Sequence, residues 1–135
     1  MSMQTILLKQ HIGAPCEPVV AAGDQVRRGT LIAKPAGLGA NIHASVSGKV
    51  AAVTETAIQI EADAEQPDDF VSIEGETNLD LIKAAGLVGM GGAGFPTAVK
   101  LNVDLKGGYI LVNAAECEPV LEHNMQQIRT KADMT

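Results

Sequence analysis

Six short β-rich runs fill the first 62 residues: TILLK (5–9), EPVV (17–20), TLIAK (30–34), ANIHA (40–44), GKVAAVTE (48–55) and AIQIEA (57–62). Gly13, Gly23-Asp24, Gly29, Gly37, Gly39 and Ser47-Gly48 punctuate them, too densely for a helix of useful length. Aliphatic and β-branched runs bounded by Gly, Asp and Ser mark strands joined by tight turns. An all-β module is therefore expected here. With two Phe, one Tyr and no Trp, its core has to come from Val, Ile, Leu and Ala.

The pattern changes after DAEQPDDFVSIEGE (63–76), an acidic stretch expected to connect two modules. TNLDLIKAAG (77–86) predicts a short helix: Thr77 or Asn78 can cap it, Asp80 favours its positive end, and Gly86 fits the stop. A glycine-rich loop follows, then FPTAVKL (95–101), with Pro96 where a first helical turn tolerates it. GGYILVNAA (107–115) predicts a buried strand of the parallel type, and PVLEHNMQQIRTKA (119–132) a helix from Pro119. The second half thus resembles the opening of an α/β domain, and the native sequence is expected to continue past Thr135. The expected fold is mixed: a β module over 1–70, then the start of an α/β domain over 75–135.

Ten basic and sixteen acidic residues give a net charge of −6, with no basic stripe to neutralise nucleic-acid phosphates. Nucleic acid is excluded as a partner on this ground. Apolar runs fall far short of the ~20 residues of a membrane span, and no charged segment precedes the short apolar one at the N-terminus. A cytoplasmic protein without direct membrane insertion is expected. The two cysteines, Cys16 and Cys117, cannot supply the four thiolates of an iron–sulfur cluster. Cys117 and His123 have no further metal ligands near them.

Residues 89–94, GMGGAG, satisfy the dinucleotide pattern G-x-G-x-x-G. A Rossmann site also needs a strand before the loop and an acid about twenty residues after it. Here a predicted helix precedes it, and Asn113 ends the predicted strand that follows. What survives is an anion cradle: glycines that let backbone approach a ligand, a helix start with free N–H groups, and Lys100 as counter-charge.

The first half resembles the biotinyl/lipoyl barrel-sandwich fold through Gly23-Asp24-x-Val26-x-x-Gly29, Ile32-Ala33 and Ile42-x-Ala44-x-x-Ser47-Gly48-x-Val50. In carriers of that fold the modified lysine stands eleven residues before the second-half glycine. That position is Gly37 here, and Lys34 comes three residues too early, so a swinging arm is not expected. SVSGK fails as a P-loop, because His43 and Val50 occupy the required Gly and Ser/Thr positions. His43 itself is expected to be a hydrogen-bonded or exposed strand residue.

GLVGMGGAGFPTAVKL (86–101) followed by ILVNAAECEPVLEHN (110–124) resembles the flavin-binding domain of the RnfC family. RnfC is the NADH-side subunit of the ion-translocating ferredoxin:NAD oxidoreductase. The same motif pair, G-x-G-G-x-G-F-P-T-x-x-K and N-x-x-E-x-E-P, recurs in the FMN/NADH subunit of respiratory complex I. LLKQHIGAPCEPVVAAGDQVRRGTLIA (7–33) is also typical of RnfC-like proteins. The resemblance implies FMN and NAD(H) as cofactors, with iron–sulfur clusters only in a C-terminal part beyond this sequence.

Carried over by residue, it implies that Gly89, Gly91, Gly92 and Gly94 line the FMN, with Lys100 near its phosphate or ring. Asn113 would hydrogen-bond the flavin, Phe95 would stack near the nicotinamide, and Glu116 and Glu118 would lie beside the nucleotide. The sequence departs from complex I at Ala115, where that enzyme has an acid, and at Cys117, where it has serine. The resemblance further implies partner proteins within a membrane-associated electron transport complex and a peripheral cytoplasmic location. The isolated chain is expected to show little NADH oxidation. A non-catalytic barrel that docks a partner subunit is the alternative.

Overall fold

The computed structural model describes residues 2–90, 92–111, 113, 115 and 122–130. The chain divides into two compact units, Met1–Val103 and Asp104–Thr135.

Among the described residues the first unit contains seven strands: β1 (Met3–Leu7), β2 (Cys16–Pro18), β3 (Gln25–Val26), β4 (Leu31–Pro35), β5 (Ile42–His43), β6 (Gly48–Val53) and β7 (Ala57–Ala62). They form two antiparallel sheets, ordered β1-β7-β6-β3 and β2-β4-β5. Each of the six predicted runs overlaps a strand, although ANIHA supplies only the two residues of β5. The sequence reading missed β3. Two residues are too few for any alternation to show.

Period-2 burial explains how these strands make a core. In β7, Ile58 and Ile60 are buried, whereas Glu61 is exposed. In β6, Val50 is buried between exposed Lys49 and Ala51. The register then slips by one residue, from Val50↔Ile60 to Ala52↔Gln59, and this irregularity helps the sheet bend around its contents. β4 has a similar slip between Leu31 and Ala33. The core contains Ile6, Leu8, Cys16, Val26, Ile32, Ile42, Val50, Ile58 and Ile60, with no aromatic residue. This is the aliphatic core that the composition required.

Lys34 stands in β4 opposite Glu17 of β2, while Gly37 occupies the exposed connection from β4 to β5. No lysine stands at the carrier position. The acidic segment 63–76 has neither helix nor strand, but it is strapped to the barrel. Gln66 accepts from the Ser47 N–H at 2.9 Å and donates to the Ser47 carbonyl at 2.8 Å. Arg27 pairs with Asp69, and the Val71 N–H donates to the Arg28 carbonyl at 2.8 Å.

Two short helices complete the unit, α1 (Asn78–Ala84) and α2 (Thr97–Leu101). Thr77, one of the two caps the sequence allows, caps α1 in a reciprocal capping box with Asp80. Gly86 follows with φ +68°, and a side chain there would strike the Asn41 backbone. The Asn41 amide in turn donates to the Ala84 carbonyl at 3.2 Å, so the helix end is fastened to the barrel. Neither helix has a fully buried residue.

The second unit contains α3 (His123–Thr130); Pro119, where the helix was expected to start, lies outside the described residues. The strand expected over 107–115 is not present among the described residues, and this corrects the sequence reading. Tyr109, Ile110 and Leu111 are 89%, 74% and 92% exposed. A parallel strand is stable only with a neighbour to satisfy its N–H and C=O groups and cover its faces. Both described sheets are built from residues 3–62, and neither includes this run.

Candidate flavin-binding loop

The glycine loop leaves α1 through Leu87 and is closed at its neck by an antiparallel bridge between Val88 and Pro96. The Gly89 N–H donates to the Phe95 carbonyl at 2.8 Å, and the Thr97 N–H donates to the Leu87 carbonyl at 2.9 Å. Val88, Gly89, Phe95 and Pro96 therefore form the neck of a pinched hairpin, not a Rossmann strand-to-helix turn. The helix-first context read from the sequence explains the difference.

This geometry also revises the expected helix-start contribution. α2 has only five residues, and Pro96, its N-cap, has no N–H to give. The Thr97 N–H is already engaged with the Leu87 carbonyl. The backbone N–H groups of Met90, Gly92 and Ala93 donate to no acceptor among the described residues. Met90 is almost fully exposed, at 96%.

Lys100, one turn into α2, returns to the loop. Its Nζ lies 5.8 Å from the Phe95 ring centroid, within cation–π range. The same Nζ would be 3.7 Å from a side-chain carbon placed on Gly89. Gly89, Phe95 and Lys100 thus lie close together.

The loop glycines separate into two kinds. Gly94 is buried with φ +67°, and an added Cβ would lie 2.9 Å from the His11 Cα and 3.0 Å from the Gln10 carbonyl oxygen. Its glycine identity is set by the fold. Gly89 and Gly92 have no such conformation, and a Cβ on either would meet at most ordinary contact; at Gly92 it would meet nothing within 4 Å. The packing of the chain does not demand glycine at these two positions. A group that must approach the backbone closely would.

Sequence reasoning missed the other side of this site. Lys9, Gln10 and His11 of the barrel face the loop across a cleft of about 600 Å³, lined also by Val88, Gly89, Met90, Gly92, Ala93 and Gly94. The Ile12 N–H donates to the Gly94 carbonyl at 3.3 Å and joins the two walls. His11 is buried, with Nδ1 2.9 Å from the Ile12 carbonyl oxygen and Nε2 3.1 Å from the Cys16 Sγ. A carbonyl only accepts, so in the neutral ring Nδ1 carries the proton and Nε2 accepts from the Cys16 thiol. The Ala40 carbonyl, 3.3 Å from the same sulfur, is the alternative acceptor. Burial pushes the Cys16 thiol pKa up, which keeps it a donor.

His43 is half-buried in β5, and desolvation pushes its imidazole pKa down. It lines a different cleft, of about 660 Å³, with Thr5, Asn41 and Ser45. Asn113 belongs to the second unit, where its side-chain oxygen accepts from the Ala115 N–H at 2.9 Å. Gly91, Glu116 and Glu118 lie outside the described residues, as does Cys117.

The structure is a barrel of two sheets followed by a pinched glycine hairpin, and sequence comparison identifies each of these two parts. Residues 2–77 match the RnfC barrel sandwich hybrid domain, and residues 82–135 match the Nuo51 FMN-binding domain. The chain belongs to the RnfC family. It is 40% identical, over 95% of its length, to the C subunit of the proton-translocating ferredoxin:NAD(+) oxidoreductase complex of Clostridium ljungdahlii. It is 39% identical over 93% of its length to the C subunit of the ion-translocating oxidoreductase complex of Rhodobacter capsulatus. For the C subunit of the Na(+)-translocating ferredoxin:NAD(+) oxidoreductase complex of Acetobacterium woodii the identity is 38% over 97%. The chain spans 32%, 28% and 34% of the lengths of these three relatives. Among the described residues, no helix is long and apolar enough to cross a membrane.

Proposed function

We propose that this chain is the barrel and the flavin-cradle portion of an RnfC-type protein that passes electrons between NAD(H), FMN and iron–sulfur clusters. The observation that carries this is the pair Gly89 and Gly92, glycines that the fold does not require, beside loop N–H groups without acceptors among the described residues. Such a surface suits a planar, anionic group that must lie against backbone. Gly89, Gly91, Gly92 and Gly94 would form the cradle. Lys100 would supply positive charge, Phe95 a stacking face, and Asn113, Glu116 and Glu118 contacts from the following segment. FMN, when bound, supplies the interchange between two-electron hydride transfer and one-electron transfer.

On this reading the functional modules are residues 1–70 and 75–135, the second being the first part of a longer FMN-binding domain. The clusters belong to cysteine-rich sequence outside this chain. Its partners are the other subunits of a membrane complex, to which it attaches on the cytoplasmic side. A barrel that only docks a partner leaves Gly89 and Gly92 without a reason.

Titration with FMN, followed by flavin absorbance and fluorescence, tests the proposal. Saturable binding that Gly92→Asp abolishes, with the fold intact by circular dichroism, is the expected result. Binding equal in both proteins would refute the cradle.

A further inference from the structure

On the flavin-site reading above, we propose that the barrel segment Lys9–His11 is the second wall of the nucleotide site and that Lys9 is the counter-charge for a phosphate ester of the ligand. The cleft of about 600 Å³ is shared between this segment and the glycine loop, and no acidic residue among the described ones lines it. Lys9 is exposed, and the ion pairs among the described residues are Arg27–Asp69 and Lys106–Asp104. No described carboxylate therefore neutralises it. An exposed ammonium lining a cleft with no described acidic residue is a point charge suited to phosphate. The loop N–H groups of Met90, Gly92 and Ala93 supply neutral donors in the same cleft.

The two walls are held in register. The Gly94 carbonyl accepts from the Ile12 N–H, and Gly94 packs on the His11 backbone. The His11 ring is held in turn by the Ile12 carbonyl and the Cys16 thiol. Lys9, two residues before this anchor, lines this cleft and also the neighbouring one that contains His43. The phosphate could be the monophosphate of a flavin nucleotide or the pyrophosphate of a dinucleotide. Both present the same chemistry to the lysine.

The test uses the intact protein carrying this sequence, with Lys9→Gln and Lys9→Arg variants. Ligands are FMN, riboflavin, which has no phosphate, and ADP-ribose, which carries only the pyrophosphate end of a dinucleotide. Lys9→Gln is expected to weaken FMN or ADP-ribose about tenfold or more, as loss of a charged hydrogen bond does. Riboflavin should stay within about twofold, and Lys9→Arg should retain most of the affinity. A loss for FMN alone assigns Lys9 to the monophosphate, and a loss for ADP-ribose alone assigns it to the pyrophosphate. If the parent protein binds FMN and Lys9→Gln leaves both phosphate ligands unchanged, or weakens riboflavin equally, the Lys9 assignment falls while the flavin site stands. If the parent binds ADP-ribose in a Lys9-dependent way but not FMN, the flavin reading fails and Lys9 stands. Binding of neither ligand by the parent overturns both.

Discussion

Gly94 rests on His11: a side-chain carbon at position 94 would come within 2.9 Å of the His11 Cα, and the residue holds φ +67°. A residue 83 positions away in sequence thus sets the seat of the glycine loop. Gly94→Ala has to adopt a left-handed conformation and push against backbone, not against a flexible side chain. It should cost about 1–3 kcal/mol, read as a lower denaturation midpoint. Gly92→Ala, in open space, should stay within about 0.5 kcal/mol and yet weaken FMN. A Gly94→Ala variant as stable as the parent would show that the loop is not seated on the barrel.

The anchor beneath that contact gives a chemical prediction. Cys16 is a buried free thiol with its pKa raised by burial, hydrogen-bonded between His11 and Ala40. Thiolate is the reactive form, so alkylation of Cys16 should be slow in the native protein at neutral pH and become fast in step with urea unfolding. Peptide mapping by mass spectrometry reads Cys16 separately from Cys117. Rapid alkylation of Cys16 without denaturant would contradict the buried arrangement.

How far the sequence led can be traced to the range of each interaction. The strands of the barrel were legible because glycines and alternation act over a few residues, as in Glu61 and Lys49 facing out between buried neighbours. The helix from Asn78 was legible for the same reason: its capping residues, Thr77 and Asp80, are three apart. Gly89, Phe95 and Lys100 also meet within a short stretch of chain. What could not be read was the approach of Lys9 and His11 to the loop, which no local pattern encodes. The YILVN run shows the opposite error. Its composition reads as a buried strand, but a strand's hydrogen bonds come from other segments, and no described sheet receives it.

The barrel's stability should reside in its central pairings. Ile60 is fully buried and lies opposite Gln4 in β1 and Val50 in β6. Ile60→Ala removes three carbons from a core without aromatic residues to slide into the space, and should cost about 2–5 kcal/mol. Met3→Ala, at the exposed start of the adjoining strand, should stay within about 0.5 kcal/mol. Urea midpoints at constant slope check both. Equal midpoints for the two variants would mean that the β1-β7-β6 layer does not carry the fold.

The helix that leads into the glycine loop should respond to acid through one carboxylate. Asp80 accepts from the Thr77 hydroxyl at 2.6 Å and from the Thr77 N–H at 3.1 Å, while the Asp80 N–H donates back to the Thr77 hydroxyl oxygen at 3.1 Å. These bonds, the side-chain one foremost, hold the Asp80 carboxyl below its usual pKa, with Lys83 adding a smaller effect of the same sign. A folded pKa below the unfolded value of about 3.9 means that the contribution is complete well above that pH. It is then lost as pH falls through the folded value. Exchange protection of the Leu81–Ala84 amides should therefore exceed that of Asp80→Asn at neutral pH, and the two proteins should converge as pH falls through the folded value. Thr77→Ala, which removes the bridging hydroxyl, should narrow the same window. Protection that differs equally at neutral and acid pH would show that the carboxylate is not what holds the start of this helix.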